Sequence, residues 1–484
     1  MFKRFFHFSV VLSGLYFLSG CSTNPATGES QFTAFMPAEQ EEQIGAQEHE
    51  KVVGEYGLYK HEGLQKYVRE VGVKVAKRTE RPEITYQFYL LDSPVVNAFA
   101  LPGGYVYLTR GLMALANSES EMASVLAHEI GHITARHSAE RYSQGVVTAI
   151  GSSVLSAAIG SDGISTALGV GSNLYMSSYS RGQENQADTL GIRYLSRSGY
   201  DTTAMSSFLS NLRADTALEA KIDGKPSSDA TNYFATHPAT AERVAKTKGE
   251  ARDYIQGGAI GGDAYLRLLD GMVYGDSVSQ GFTRGNKFYH PEIGFMFSVP
   301  QSFEIINKPD KVVASEGKTG ALMIFDMHGN KGKLDPVRFM RAHWIKKKGS
   351  IRIDDITVNG MRAATAVVEG SLNGKSAHIR FIAVKWTDTQ IVRFQVITPK
   401  WYGAKQMEAL KRASYSFKRM SAHEKRTIKP YSVRVVTAKS GDSVSSLSRR
   451  MVFDDHREER FRVLNGLGGK DGIVSGRLYK VVVE

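Results

Sequence analysis

The sequence predicts an α+β multidomain protein: a mostly helical first domain with a small sheet, an α+β middle domain and a small βααβ unit at the end. Three observations carry this prediction. The 484 residues exceed what a single hydrophobic core usually supports. Apolar residues recur at helical spacing through most of 37–284, whereas 286–417 is dominated by short alternating runs typical of strands. A hydrophobic content of 42% with 23% charged residues is ordinary for a globular protein.

The N-terminus carries a targeting pattern. Lys3 and Arg4 precede an apolar run from Phe5 to Leu18 that is short for a membrane span, and Leu18-Ser19-Gly20-Cys21 follows. This resembles a bacterial lipoprotein signal, which implies a signal peptide over 1–20, lipidation of Cys21 and a membrane anchor. Ser22 follows the cysteine, which resembles the sorting pattern of lipoproteins in the outer membrane of Gram-negative bacteria. This pattern implies an anchor in the inner, periplasm-facing leaflet of that membrane. The alternative is a plain signal peptide with a free cysteine.

Residues 22–36 are rich in turn-formers, so we expect 21–36 to be a tether. Residues 37–78 are expected to be helical, with an exposed acidic face formed by Glu41, Glu42, Glu48 and Glu50. Ile84 to Leu91 alternates as a strand.

The stretch from Asn97 to Leu108 predicts two strands around a Pro-Gly-Gly bend. A strand edge can bind an extended peptide through main-chain hydrogen bonds, so Asn97, Ala98 and Phe99 are candidate substrate-binding residues. A purely structural hairpin is an equal alternative.

The motif His128-Glu129-Ile130-Gly131-His132 is the strongest chemical signal in the chain. On a helix, residues four apart share a face, so both imidazoles can bind one ion. Zn²⁺ accepts two such nitrogens, and the adjacent carboxylate can take a proton from water. Ser118 and Glu121 match a capping box that would start this helix. Two ordinary histidines are the alternative, and a third ligand is needed to decide.

Two segments follow the motif. Residues 144–176 are rich in Gly, Ala and Ser; we expect a helical hairpin packed into the core, with a mobile flap or membrane-facing hairpin as the alternative. A further helix is predicted from Arg181 to Gly199, in which Glu184 and Asp188 share one face. A carboxylate there could complete a His₂Glu metal site, and Asp188 could hydrogen-bond a ligand histidine. A solvated acidic face is the alternative.

Together, N-A-F-A-x-P-G-G, H-E-x-x-H, E-x-x-x-D and Thr236-His237-Pro238 with Arg243 resemble the HtpX / CAAX-prenyl-protease family of gluzincin metallopeptidases. The soluble periplasmic lipoprotein branch is the most similar, and the resemblance covers about 37–284. It implies a zincin-type (gluzincin) catalytic domain with one Zn²⁺ per chain, held by His128, His132 and Glu184. It further implies Glu129 as general base and Asp188 as an orienting residue. His237 would stabilise the oxyanion or occupy the open coordination position at rest.

Residues 285–420 are expected to form an α+β domain without a catalytic constellation, followed by a basic linker over 421–430. Strands are predicted at Ala321–Met327, Ile351–Val358, Ala363–Val368, Ile379–Lys385 and Ile391–Ile397, and helices at Pro336–Lys347 and Gln406–Ser416. Residues 431–484 resemble a LysM module, a βααβ unit that binds glycans containing N-acetylglucosamine, although the proline usual before Gly476 is missing. Peptidoglycan is therefore a candidate partner, and a structural cap is the alternative.

Charge is unevenly distributed. Residues 285–484 hold 36 Lys and Arg against 19 Asp and Glu, whereas 1–284 hold 25 against 30. The basic half favours an anionic envelope partner or is simply a solvated surface. No nucleic-acid partner is expected.

The resulting functional hypothesis is a zinc endopeptidase of the cell envelope that acts on misfolded or unassembled proteins in extended form. Two alternatives stay open. One is a chaperone-like or scaffold lipoprotein with a latent zinc site that binds cell wall or outer-membrane proteins. The other is a zinc amidase that cleaves peptidoglycan.

Overall fold

The computed structural model describes residues 21–159, 178–224, 237–238, 240–254, 257–345, 351–372 and 374–484. Within these ranges the α+β class is confirmed, and the chain divides into two compact units. One unit combines residues up to Tyr274 with Ser432–Glu484, and the other is Gly275–Tyr431. The predicted signal peptide over 1–20 and much of the predicted hairpin over 144–176 lie outside the described residues.

Residues 21–36 fold against the first unit, which corrects the expectation of a tether. Strands β1 (Cys21–Thr23) and β2 (Ser30–Phe32) pair antiparallel and form the N-terminal hairpin. The Arg136 guanidinium donates to the carbonyl of Met36 at 2.8 Å, and the Phe35 amide donates to Ser143 Oγ at 3.1 Å. These contacts hold the segment that follows Cys21 against the residues just after the helix that carries the His128–His132 motif, called the motif helix below.

The helical region expected over 37–78 is two helices, α1 (Ala38–Tyr56) and α2 (Glu62–Ala76). A three-stranded sheet follows, in which β5 (Tyr105–Thr109) lies between β3 (Gln87–Leu91), which is parallel to it, and β4 (Ala98–Leu101), which is antiparallel. The predicted pair of strands around Pro102-Gly103-Gly104 is therefore confirmed. Strand β4 forms one edge of this sheet.

The rest of the first unit up to residue 274 is mainly helical. Its elements are α3 (Arg110–Leu115), α4 (Glu119–Thr134), α5 (His137–Ile159), α6 (Arg181–Arg197), α7 (Ala204–Asp223), α8 (Ala241–Glu250), α9 (Gly262–Leu269) and a short strand β6 (Val273–Tyr274). Helix α4 is buried on every side, since residues 120–134 are all inaccessible, and it forms the centre of the main core. Among the described helices, none has the length and apolarity needed to cross a bilayer.

The second unit is built on antiparallel sheets, and the strands predicted there are present with somewhat different bounds. Its elements are β7 (Phe282–Arg284), β8 (Lys287–His290), β9 (Phe295–Ser298), β10 (Glu304–Lys308), β11 (Lys311–Glu316), β12 (Ala321–Gly329), α10 (Pro336–Phe339), β13 (Ile353–Val358), β14 (Met361–Leu372), β15 (Lys375–Thr387), β16 (Gln390–Pro399), α11 (Ala404–Tyr415), β17 (Lys418–Arg419) and α12 (Ala422–Thr427). Seven strands form one sheet in the order β10-β11-β12-β16-β15-β14-β13. The expected linker over 421–430 instead contains α12, and Ile428 packs against an apolar cluster of this unit.

The C-terminal residues have the predicted βααβ order: β18 (Tyr431–Thr437), α13 (Val444–Ser448), α14 (Arg457–Leu464) and β19 (Leu478–Val483). They are not a separate domain, which corrects that prediction. Strand β18 lies between β19 and β6, and Val433 and Leu478 belong to the same core as α4. The buried ammonium of Lys480 donates to the carbonyls of Ala114 and Ala116, at 2.6 and 2.7 Å, at the end of α3.

Candidate metal centre

Helix α4 begins where the sequence predicts. Ser118 Oγ accepts the amide of Glu121 at 3.1 Å, and the Glu121 carboxylate accepts the amide of Asn117 at 2.7 Å. The first bond satisfies an orphan amide of the first turn, and the second ties Asn117, the residue before the N-cap, to the same turn. Three turns later His128, Glu129 and His132 are all at most 1% exposed. The motif therefore lies in the core, where side chains keep a fixed orientation.

Helix α6 begins at a capping box in which Ser180 and Gln183 exchange hydrogen bonds. Two glycines let α6 approach α4 closely. A Cβ on Gly131 would lie 3.1 Å from the Ala187 carbonyl oxygen, and a Cβ on Gly191 would lie 3.2 Å from the His128 amide nitrogen. This close contact brings Glu184, near the start of α6, next to the two histidines.

Four buried side chains converge at this point: His128, His132, Glu184 and His237. The Nε2 atoms of His128 and His132 are 3.1 Å apart. The two Glu184 carboxylate oxygens lie 3.5 Å from these nitrogens, one oxygen to each. The ligand atoms of all four side chains lie within 4.8 Å of one another.

These distances fit a zinc ion. Bonds of about 2.0–2.2 Å in a tetrahedron place the ligand atoms roughly 3.3–3.6 Å apart. The observed separations of 3.1 and 3.5 Å are close to that value without any rearrangement of the helices. Two imidazoles and a carboxylate are also the donor set of many catalytic zinc sites. The three predicted ligands are thus brought together by the fold.

His237 completes the cluster on its remaining side. Its Nδ1 lies 2.8 Å from Glu184 Oε1 and 3.3 Å from His128 Nε2, while its Nε2 lies 3.6 Å from Glu129 Oε1. The ring is 1% exposed. His237 therefore lies between the base and the ligands, where a water or a substrate carbonyl would have to bind.

Asp188 orients the first ligand, as its position one turn after Glu184 suggests. Its Oδ1 lies 2.9 Å from His128 Nδ1, so the Nε2 of that ring is directed at Glu184 and His132. Arg243 holds both acids from α8. It donates to the two Asp188 oxygens at 2.8 Å each, and its NH1 lies 2.5 Å from Glu184 Oε2 and 3.0 Å from the Pro238 carbonyl. The sequence motif contains Arg243, but its spacing does not reveal this role.

The second ligand has a different partner that the sequence analysis missed. His132 Nδ1 lies 2.8 Å from His137 Nδ1, and His137 Nε2 lies 2.7 Å from Gln186 Oε1. Tyr179 stacks on His132 with ring centroids 3.7 Å apart. A third histidine five residues after the motif was the available signal.

The electrostatics of the two ligand histidines differ. Burial opposes the charged form of His128, but its hydrogen bonds with Asp188 and Glu184 outweigh it and raise the pKa of His128 to about 9. Burial lowers the pKa of His132, and it lowers the pKa of His137 to about 4. Burial also opposes ionisation of Glu184, yet the adjacent His237, His128 and His132 hold its pKa well below the usual value. Zinc binds the deprotonated imidazole, so a proton and the metal compete for His128.

The candidate substrate-binding residues lie on the edge strand β4 or, for Asn97, immediately before it. Asn97 O accepts the amide of Thr109 at 3.0 Å, so by antiparallel alternation the main-chain groups of Ala98 and Ala100 point away from β5. The Phe99 side chain packs 4.8 Å from the Tyr107 ring in an apolar cluster with α1, which makes it a core residue. Cys21, the predicted lipidation site, is exposed at the start of β1.

A helix that supplies two histidines and a glutamate, together with a second helix that supplies a glutamate ligand, defines the gluzincin class of zinc metallopeptidase domains. Comparison with known families agrees. Residues 62–251 match the model of peptidase family M48.

Individual relatives cover part of the chain. It is 30% identical over 244 residues to the β-barrel assembly-enhancing protease of Escherichia coli (strain K12), which is 49% of this chain and 48% of that protein. The protein of the same name from Yersinia pestis is 33% identical over 198 residues, 39% of each chain. The mitochondrial metalloendopeptidase OMA1 of Schizosaccharomyces pombe is 25% identical over 250 residues, 51% of this chain and 71% of that protein. The chain thus spans less than half the length of the assembly-enhancing proteases that it matches.

Proposed function

We propose that this protein is a zinc endopeptidase of the bacterial cell envelope that hydrolyses misfolded or unassembled envelope proteins. One observation carries the proposal. His128, His132 and Glu184 come from two helices, and their ligand atoms are spaced as zinc requires, with Glu129 on the same helix as the two imidazoles. The family match and the proteolytic relatives support the same reaction.

Each site residue has one task in this proposal. Zinc, when bound, acts as a Lewis acid toward the scissile carbonyl and lowers the pKa of a water molecule. Glu129 takes the proton from that water and later delivers it to the leaving amine, a role worth roughly 10²–10⁴ in rate. Asp188 and Arg243 keep His128 and Glu184 in place. The proposed substrate contacts are the main-chain groups of Ala98 and Ala100, which point away from β5.

His237 is the residue that controls access in this proposal. Its position between Glu129 and Glu184 supports the second of its two predicted roles, occupation of the open position at rest. Cleavage then requires that His237 withdraw from the ligands. A substrate that displaces the ring would be cut, whereas other proteins would not reach the base.

The envelope assignment rests on Cys21 and the C-terminal residues. An acyl chain on the exposed Cys21 would hold the first unit at the membrane, on the periplasmic side of the outer membrane. The βααβ order of 431–484 supports a LysM-like module, for which peptidoglycan is the proposed partner. The relatives named for β-barrel assembly support envelope proteins as substrates.

The decisive test replaces Glu129 by Gln, which removes the base and keeps all ligands. We expect zinc content equal to wild type and loss of casein cleavage. Glu140→Gln, the same change at a residue that contacts Gln144 and Gln183, is the control and should stay active. Removal of zinc with a chelator should abolish cleavage by wild type, and added zinc should restore it.

Other outcomes would favour the alternatives. Full activity of Glu129→Gln would refute the mechanism. Rescue of a deletion strain by Glu129→Gln would indicate a chaperone-like role. Digestion of purified sacculi in place of unfolded protein would indicate an amidase.

A further inference from the structure

The side of His132 that faces away from the ligand cluster contacts a chain of polar side chains. His132 Nδ1 lies 2.8 Å from His137 Nδ1, and His137 Nε2 lies 2.7 Å from Gln186 Oε1. Both histidines are 1% exposed, so water does not compete for these bonds. This series of hydrogen-bonded side chains continues into the N-terminal hairpin through Asn24 and Glu29.

The hairpin determines which way the Gln186 amide points. Asn24 Nδ2 donates to Gln186 Oε1 at 3.1 Å, and Gln186 Nε2 donates to the Glu29 carboxylate at 3.0 Å. A carboxylate at this place can only accept, so it must face the amide nitrogen. The Gln186 oxygen is thereby directed at His137.

This orientation sets the proton positions on both histidines. Because the Gln186 oxygen can only accept, His137 Nε2 carries a hydrogen, and the Nδ1 of neutral His137 is an acceptor. His132 Nδ1 must then donate, which leaves the lone pair of His132 on Nε2. That nitrogen is the one that lies 3.1 Å from His128 Nε2 and 3.5 Å from Glu184. A proton on Nε2 would prevent metal binding.

Contacts from the residues that follow the hairpin place His137. Helix α4 ends at Thr134, and Arg136 adopts a left-handed conformation (φ 56°) that turns the chain so that His137 can face back to His132. This conformation is unfavourable for a residue with a Cβ. Arg136 is held there by Glu41 at 2.7 Å and by the Met36 carbonyl at 2.8 Å.

We propose that His137 and Gln186 are positioning residues that hold His132 in its metal-binding tautomer, and that the hairpin after Cys21 is part of this support. Asp188, a charged partner, orients His128 in the same way, whereas neutral groups orient His132. The inference rests on the proposed function in one respect, that the metal is zinc.

The test measures metal binding and not proteolysis. Full-length Glu129→Gln protein serves as the background, because it cannot digest itself. Zinc affinity is measured by competition with a chelator, and the Co²⁺-substituted protein reports ligand geometry by visible absorption. His137→Leu should weaken zinc roughly 10–100-fold, the usual effect of losing such a partner, and should alter the cobalt spectrum.

Rescue and controls separate positioning from folding. Asn at position 137 can offer an amide oxygen near the place of Nδ1, so His137→Asn should bind zinc within a few-fold of the background. Gln186→Leu should also weaken zinc, but less than His137→Leu. His49→Leu removes a histidine that bonds to Tyr107 elsewhere in the unit and should leave zinc affinity unchanged.

Two results would overturn the inference: zinc binding by His137→Leu equal to the background, or equal losses in His137→Leu and His137→Asn. A wild-type protein that binds no zinc would overturn the proposed function as well. Zinc bound equally by the background and His137→Leu would overturn this inference alone.

Discussion

Replacement of Arg243 by Leu should make the stability of the first unit depend strongly on zinc. The guanidinium is 5% exposed and contacts two buried carboxylates, both oxygens of Asp188 at 2.8 Å and Glu184 Oε2 at 2.5 Å. It also holds the Pro238 carbonyl next to His237. Leu fills part of the volume but leaves both acids without this positive charge.

The expected magnitude follows from burial. Removing one partner of a buried ion pair costs roughly 3–5 kcal/mol, because the other charge stays in a poor solvent. The first unit is larger than 250 residues, so the shift is at the low end of the range, about 2 °C per kcal/mol, and the metal-free protein should melt roughly 6–10 °C lower. With zinc bound the loss should be smaller, because the ion then compensates the charge of Glu184.

Calorimetry of chelated and zinc-loaded protein measures both effects. Arg193→Leu, on α6 of the same unit, is the control, since Arg193 is one-third exposed and shares Glu80 with Arg197. That change should cost no more than about 1 kcal/mol. The reasoning is refuted if metal-free Arg243→Leu melts at the same temperature as Arg193→Leu. It is also refuted if zinc raises the melting temperatures of the two variants by the same amount.

Three further changes test other parts of the structure. His237→Ala should increase casein cleavage per bound zinc and weaken zinc binding, because the ring between base and ligands is gone; lower cleavage at equal zinc content would instead support an oxyanion role. Lys480→Met should lower the melting temperature of the unit that contains the metal centre, because the buried carbonyls of Ala114 and Ala116 lose their donor, which costs roughly 1–3 kcal/mol for each carbonyl. An unchanged melting temperature would contradict the shared core. In the second unit burial lowers the pKa of His290 to about 4. Between that value and the ordinary histidine pKa near 6.5, the unfolded chain therefore binds a proton that the folded chain does not. Stability should be full above pH 6.5 and fall by up to about 3 kcal/mol toward pH 4, and His290→Gln should flatten this dependence in urea titrations.

The sequence alone predicts much of the metal centre because its signals are local. The four-residue spacing of His128 and His132 determines that they share a helix face. The cap at Ser118 marks where the first of the two helices begins, and Glu184 and Asp188 share a face of the second helix for the same geometric reason. Local spacing is also enough for the hairpin around Pro102 and for most strands of the second unit.

Contacts between distant segments could not be predicted from local spacing. Glu41 belongs to a run of acids expected on an exposed face, yet it is 4% exposed and paired with Arg81 and Arg136. The folded segment 21–36 has too few apolar residues for its sequence to predict that it packs against other segments. Periodicity shows which face a residue occupies, but what covers that face depends on segments elsewhere in the chain.

The helix periods, the caps and the chemistry of the zinc ligands were thus determined by the sequence itself. Only the tertiary structure decided that His137 faces His132, that Arg243 joins two acids, and that the last strand completes the core around the motif helix. The physical reason is that ligand spacing is a property of one helix, whereas orientation of the ligands requires buried partners from three or four separate segments. Those partners become neighbours only when the core is assembled.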